Sequence, residues 1–468
     1  MPTRLASVAA WTPDARRWAR VYRVAMLRRR SLPILAAAAA LAIAAVPGSG
    51  ARASGTAATR AQVSAAPFLG GVNIGSVDRS TPPALIDRSL AVAHQLHARV
   101  VRIEVPWSIM EPLAPGVDDA RSLAYTDRVA RDAVAQGLKM ILMVQSTPCW
   151  ASSAPASLMR GCGPGHVTRA NSWPPKQVGD FAAFVAFLAK RYGPELAALE
   201  IWNEPDQANE GYFAGPSKPA RYAAVLRAAY PAIKQADPSV QVLGGSLVGS
   251  NGAFLRALYA AGIKGYYDGL SVHFYNLTLA SLRSIHEVQA ANGDSTRLWL
   301  AEFGWTSCWP KRRIQQEQAC VPARTQAANI SNTYRLLRRT PYVAAGVLYK
   351  LRDSRHEQFG LLTFGWAHKS SFSAFAHALA SPFSAVTPVA LGLRSNGRSA
   401  VAAGSAAVGD FMVLEAFKGT LLRYRALFTL DGFNRFSITL PSVLGTSGVR
   451  VRVYRYGTGE AGAAQRSI

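Results

Sequence analysis

From about residue 68 to about residue 380, short apolar runs alternate with longer stretches whose apolar positions recur every three or four residues. Eight runs have strand length and strand composition: "FLGGVNIG", "ARVVRIEV", "LKMILMVQS", "AALEIWNE", "VQVLGGSL", "GLSVHFYN", "LWLAEFGW" and "AAGVLYKL". Nearly continuous hydrophobicity is what a parallel strand covered on both faces requires. Between the third and fourth runs, "GDFAAFVAFLAKRYG" places Phe181, Phe184, Val185, Leu188 and Tyr192 on one helical face, which predicts a helix with Asp180 as N-cap and Gly193 as C-cap. Repeated strand–helix units of this kind predict an α/β fold, a (β/α)8 TIM barrel over residues 67–382. Beyond residue 383 the texture changes to short alternating segments, "FMVLEAF", "LLRYRALFTL", "RFSITL" and "VRVRVYRYG". These predict a small, β-sandwich-like accessory domain over 383–468.

The amino-terminal segment belongs to neither unit. "MLRRRSLPILAAAAALAIAAVPGSGARAS" reads as a basic region, an apolar stretch from Leu32 to Val46 and a cleavage site at Ala51-Arg52-Ala53. Residues 1–53 are therefore expected to be a signal peptide and 54–66 a linker. The apolar stretch falls short of the roughly 20 residues of a spanning helix, so no stable membrane insertion is expected after cleavage. Met26 is an alternative start, and Arg16-Arg17 and Arg28 to Arg30 leave a twin-arginine route open. The expected destination is extracellular.

The 468 residues carry a net charge of +25, and loss of the nine arginines and one aspartate of residues 1–53 leaves +17. Such a balance favours anionic surroundings, which for an exported protein means acidic polysaccharide more readily than nucleic acid. No nucleic-acid-binding signature accompanies the charge. A generally basic surface from an arginine-rich proteome accounts for it equally well. The four cysteines form two close pairs in loop-like sequence, Cys149 with Cys162 and Cys308 with Cys320, and read as two loop-closing disulfides. A zinc site is the competing reading, but neither C-x-x-C spacing nor a histidine cluster supports it, and no metal or cofactor is expected.

Chemistry in such a barrel sits where strands run into the following loops. The residues there are Arg102 on strand two and Trp107 just past it, "STPCWAS" after strand three, Asn203 and Glu204 in "LEIWNEPD", His273 and Tyr275 at the end of strand six, and Glu302 and Trp305 in "LWLAEFGWTS". Pro205 ends the fourth run because it cannot donate to a ladder. Glu204 and Glu302 would face each other across the mouth, and paired carboxylates flanking one bond are the equipment of glycoside hydrolysis.

Residues 68–365 resemble the clan A glycoside hydrolases, most closely the family 39 group, which includes β-xylosidases and exopolysaccharide-degrading enzymes. The resemblance is carried by "TPCWAS", "RYGPELAALEIWNEPD", "LWLAEFGWTS" and "YKLRDSRHEQFGLL". It implies a retaining mechanism with Glu204 as acid-base and Glu302 as nucleophile. It further implies Asn203 on the 2-hydroxyl of the sugar, Arg102 as partner of Glu302, and Tyr275 as donor to Glu302 beside His273. A structural ion pair for Arg102 and a plain hydrogen-bonded core role for His273 are the competing readings.

Trp150 and Trp305 are expected to stack on sugar rings, while Trp107 and Trp309 stand equally for packing; Glu111 in "WSIMEP" is assigned to loop structure. Many relatives carry a tryptophan at the end of strand eight, where this chain has Leu348 and Tyr349, so the floor of the sugar site is expected to differ. For the accessory domain a scaffold role is preferred to carbohydrate binding. Three rivals stand beside the hydrolase: a transglycosylase, a non-catalytic glycan-binding barrel, which would lack a carboxylate, and an enzyme of phosphorylated metabolites, for which a glycine-rich phosphate loop is missing.

Overall fold

Each of the eight apolar runs forms a strand in the computed structural model, which describes residues 68–468 apart from 77–79, 165–166, 276–278, 309–319, 381–388, 407–411, 429, 431–434 and 456–462. The expectations for residues 1–53, for 54–66 and for Trp309 lie outside the described residues. β1 (Leu69–Ser76), β2 (Val100–Pro106), β3 (Lys139–Gln145), β4 (Leu196–Ile201), β5 (Val242–Leu247), β6 (Gly269–His273), β7 (Arg297–Phe303) and β8 (Val343–Leu348) pair in chain order, and β8 returns to β1 to close a parallel barrel.

A helix follows every strand: Pro83–Gln95, Ala120–Ala135, Val178–Tyr192, Lys218–Ala236, Ala253–Ala260, Leu279–Ala291, Ala323–Arg339 and Ser370–Ala380. Their apolar faces and the strands' outer faces form one core from Val72 to Leu379. Inside the barrel, Val100, Ile141, Ala198, Leu243, Trp299 and Ala345 form a smaller cluster. Gly71 on β1 is required by close approach, because a Cβ there would collide with the Val100 carbonyl on β2.

The third of these helices corrects one expectation. Val178–Tyr192 begins two residues before Asp180, its N-cap is Gln177, and Asp180 makes no cap. The Asp180 carboxylate instead sits in the first turn, where the helix dipole favours it. Gly193 caps the other end as expected.

Beyond the barrel, β9 (Ala390–Asn396), β10 (Ser399–Ser405), β11 (Met412–Lys418), β12 (Leu421–Phe428), β13 (Arg435–Thr439), β14 (Val449–Arg455) and β15 (Ala464–Ser467) form antiparallel sheets in the orders β13-β10-β9 and β12-β11-β14-β15. Alternate residues of both sheets, among them Leu391, Ala402, Phe436, Leu414 and Val451, share one core separate from that of the barrel. Three of these strands, β9, β10 and β15, were not expected. The β9–β10 hairpin turns on Gly397-Arg398, with Gly397 at φ +60, the conformation a two-residue hairpin loop requires.

Both cysteine pairs are bridged, Cys149 to Cys162 with Cα atoms 5.7 Å apart and Cys308 to Cys320 with 4.9 Å, and no described cysteine is free. The bridges close loops after β3 and β7, at the carboxyl ends of the strands. Closing a loop of about 15 residues is worth about 3 kcal/mol in the chain-entropy model, which matters more to loop order than to survival of a barrel this large. Reduction is therefore expected to weaken ligand binding at temperatures below the unfolding transition, as titration calorimetry and melting curves on the same sample would reveal. Loss of binding only at that transition would show that the bridges do not shape the site.

Candidate active site

Arg102 lies inside the barrel on β2, almost fully buried, and its planar guanidinium is used on three sides. Nε donates to Glu200 Oε2 at 2.5 Å, Nη1 to Glu302 Oε1 at 2.6 Å and Nη2 to Asn203 Oδ1 at 3.0 Å. Burial opposes its charge, but Glu200 and Glu302 outweigh burial and hold Arg102 above its ordinary range. Parallel pairing sets the second axis of the site, since His273 at the end of β6 is the register partner of Glu302 on β7.

β4 stops at Ile201, before Pro205, because the chain turns sharply: Trp202 and Glu204 adopt φ +71 and +42. Left-handed backbone is costly for such residues and persists only where the surroundings impose it. Here Trp202 N donates to Val144 O at 2.9 Å, its indole to Tyr212 O at 2.8 Å, and Ser246 Oγ to Trp202 O at 3.0 Å. The turn delivers Asn203 and Glu204 into the mouth.

Glu302 and Glu204 then face each other. Tyr275 donates to Glu302 Oε2, so both oxygens of that carboxylate are held. His273 Nδ1 lies 3.0 Å from Glu204 Oε1 and 3.9 Å from Glu302 Oε2, and Gln207 donates to Glu204 Oε2. An oxygen of each glutamate and a ring nitrogen of His273 lie within 4.8 Å of one another. By distance alone this trio would suit a metal ion. Positive charge is already supplied by Arg102, and by His273, whose imidazole is pushed down by burial but raised to about 9 by Glu302, Glu200 and Glu204. The Tyr275 phenol is held well above its usual range by burial and by Glu302, and so remains a donor.

With this geometry in view, the chain can be set beside known proteins. The sequence matches no family model and no curated protein. Among solved structures it is similar to a family 39 glycoside hydrolase from the gut symbiont Bacteroides cellulosilyticus WH2, at 18% identity over 80% of this chain and 79% of that one, with a TM-score of 0.52. A family 39 β-xylosidase from Caulobacter crescentus aligns at 18% identity over 75% of this chain and 82% of its own, with a TM-score of 0.51. The fold is shared.

The structure gathers Arg102, Asn203, Glu204, His273, Tyr275 and Glu302 at one place. It separates the tryptophans. Trp107 is wholly buried, stacked on Phe184 and donating to Glu111 Oε2 at 2.7 Å, so it is a packing residue. Trp150 and Trp305 are half-buried; the Trp150 indole donates to Glu111 O at 3.0 Å. Glu111 ties its own loop through Trp107 and the Gly116 amide. At the end of β8, Leu348 is buried and Tyr349 lies edge-on to Tyr275 at 5.7 Å, with its hydroxyl donating to Glu357 Oε2 at 3.0 Å.

Sequence reasoning missed Glu200. Fully buried, it accepts from Arg102, from Ser246 Oγ at 2.7 Å and from Ser271 Oγ at 2.5 Å, and lies 3.5 Å from His273 Nε2. Burial pushes its carboxyl up, but Arg102 and His273 prevail and hold it well below the usual range. A glutamate in the middle of an apolar strand was the available signal. Gln207 and Tyr212, in the loop after β4, carried no comparable signal.

The raised His273 pKa has a definite sign in stability. An unfolded histidine titrates near 6.5, so the stabilisation should be complete below about pH 6.5 and disappear as pH rises through about 9. The expected contribution is on the order of 3 kcal/mol. Denaturant titrations of the wild type and His273→Gln at pH 6 and pH 9.5 should show a difference that shrinks at the higher pH. A gap independent of pH would mean that folding does not raise the His273 pKa, and one that changes in the opposite direction would mean that His273 is neutral in the folded protein.

Proposed function

We propose that the chain is a retaining glycosidase cleaving β-glycosidic bonds in a poly- or oligosaccharide, with Glu302 as nucleophile and Glu204 as acid-base. The observation that carries the reading is the short separation of the two glutamates, whose oxygens approach within 4.8 Å. Retaining enzymes hold their carboxyl groups about 5–5.5 Å apart, whereas inverting enzymes leave about 6.5–9.5 Å for a water.

Glu302 suits attack, because Arg102 and Tyr275 fix both its oxygens and leave it one orientation. Attack on the anomeric carbon breaks the bond to the leaving oxygen, to which Glu204 gives its proton. Glu204 then takes a proton from water, the oxygen of that water displaces Glu302, and the sugar leaves with its configuration retained. Asn203 Oδ1 is occupied by Arg102 Nη2, so the amide nitrogen is the end free to meet the sugar 2-hydroxyl. Trp150 and Trp305 supply the sugar platforms. Tyr349, in place of the relatives' tryptophan, floors the subsite beside Tyr275.

The pair of bridges fits export into an oxidising compartment, and no helix among the described residues is long and apolar enough to cross a membrane. A non-catalytic barrel does not explain why both carboxylates are present and held. Transglycosylation remains the alternative fate of the intermediate, and differs only in the acceptor.

Glu302→Ala is expected to abolish turnover of aryl β-glycosides, and azide to restore it by forming a glycosyl azide of inverted configuration. An alanine variant that keeps most of its activity would remove Glu302 from the role. Glu204→Ala should slow substrates with poor leaving groups by about 10²- to 10⁴-fold while sparing activated aryl glycosides, which need little protonation. Equal losses on both substrate types, read from kcat/KM across a leaving-group series, would reject the acid-base assignment.

A further inference from the structure

The loop after β8 leaves the site and folds into a tight hairpin on the barrel rim. Thr363 N donates to Ala367 O at 2.9 Å and Trp366 N to Thr363 O at 2.9 Å, so Phe364, Gly365 and Trp366 form its tip. Phe364 is 44% exposed, and Trp366 sits at φ +70. A bulky residue rarely takes that conformation, and such outliers concentrate where ligands bind.

Three guanidiniums converge on these two rings. Arg88, from the helix after β1, lies 4.2 Å from the Trp366 ring centroid; Arg352 lies 4.8 Å from Trp366 and 5.0 Å from Phe364; Arg355 lies 5.2 Å from Phe364. None of the three forms an ion pair among the described residues. The loop's own carboxylates are engaged elsewhere, Asp353 by Lys369 at 3.0 Å and Glu357 by Lys350 and Tyr349. Burial and the facing charge of Arg88 both push Arg352 below its ordinary range. Arg352 Nη1 also donates to Phe364 O at 3.1 Å, and like charges held on aromatic rings without a counter-ion suit a ligand that brings anions to them.

Around Tyr212, by contrast, the nearest unscreened charges are negative, while Arg102 and His273 are taken up by Glu200, Glu204 and Glu302. Burial and the charges of Glu204, Glu302, Glu104 and Glu357 raise the Tyr212 phenol at the mouth of the cleft, so an anionic sugar finds carboxylates there. The arginines on the rim offer such a sugar a counter-charge. We propose that Arg88, Arg352, Arg355, Phe364 and Trp366 form an accessory binding site for an anionic polysaccharide, whose carboxylate or sulfate groups pair with the guanidiniums stacked on the two rings while its apolar ring faces meet the exposed part of Phe364. The choice of a glycan over other polyanions rests on the glycosidase reading; the anion-binding chemistry does not.

Affinity electrophoresis of the full chain through gels containing polygalacturonate, dextran sulfate or neutral xylan tests this, with single-stranded DNA run in parallel. Polygalacturonate or dextran sulfate should retard the protein more strongly than xylan or DNA, and whichever retards it more identifies the anion. Trp366→Ala, and separately Arg88→Ala with Arg355→Ala, should each weaken that retention about tenfold, with aryl-glycoside hydrolysis and circular dichroism unchanged. Retention of the variants equal to wild type would overturn the proposal. So would equal retention by xylan, or by DNA, which would mark a merely basic surface. Glu302→Ala should retain the polyanion as wild type does. If wild type cleaves no glycoside yet shows the arginine-dependent retention, the catalytic reading fails and the accessory site stands.

Discussion

A single buried guanidinium holds this site together. Arg102 reaches from β2 to Glu200 and Asn203 on and after β4 and to Glu302 on β7, so one rigid fork fixes groups contributed by three parts of the barrel. Removing that charge from water is expensive, and a buried cation is tolerable only where its partners are close and complete. Glu200 supplies the part of that compensation that takes no direct place in the chemistry. It is satisfied on its other side by Ser246 and Ser271, so it serves as a fixed anion beneath the mouth. His273 responds to the same group of carboxylates, which keep it charged despite complete burial. Two cations and three glutamates thus form one network, and the geometry of any one depends on the rest.

The barrel was legible because its strands are buried on both faces and therefore read as apolar blocks, each followed by a helical period. The carboxylates were legible because both stand at or just past strand ends, in runs that are otherwise mostly apolar. The β9–β10 hairpin escaped notice for the opposite reason. "SAVAAGS" packs small residues where strands usually carry branched or aromatic ones, although Gly397 marks its turn. Glu200 was missed because its partners come from β2, β5 and β6, far from it in sequence, even though a glutamate amid the apolar residues of β4 was itself a signal. The Asp180 cap failed because side-chain identity alone does not decide which residue takes the non-helical conformation, and the helix found a start two residues earlier. Trp107 shows the same limit, as position after a strand does not distinguish a ring facing ligand from one facing the core.

Net charge was a poor guide to the character of the cleft. The chain is strongly basic, yet the groups around Tyr212 are glutamates, and the positive side chains nearest Glu204 and Glu302 are already committed to them. Charge averaged over a whole chain describes its long-range field and solubility, whereas recognition depends on which charges remain uncompensated at a given place. On the rim, beside the hairpin that continues from Tyr349, Arg88, Arg352 and Arg355 make no ion pair among the described residues.

The two disulfides enclose the loops after β3 and β7 as covalent rings. A chain cut anywhere between Cys149 and Cys162, or between Cys308 and Cys320, leaves both new ends tethered to the barrel. A protease that cuts either loop once therefore releases no fragment, and the nicked chain keeps its mass until the bridge is reduced.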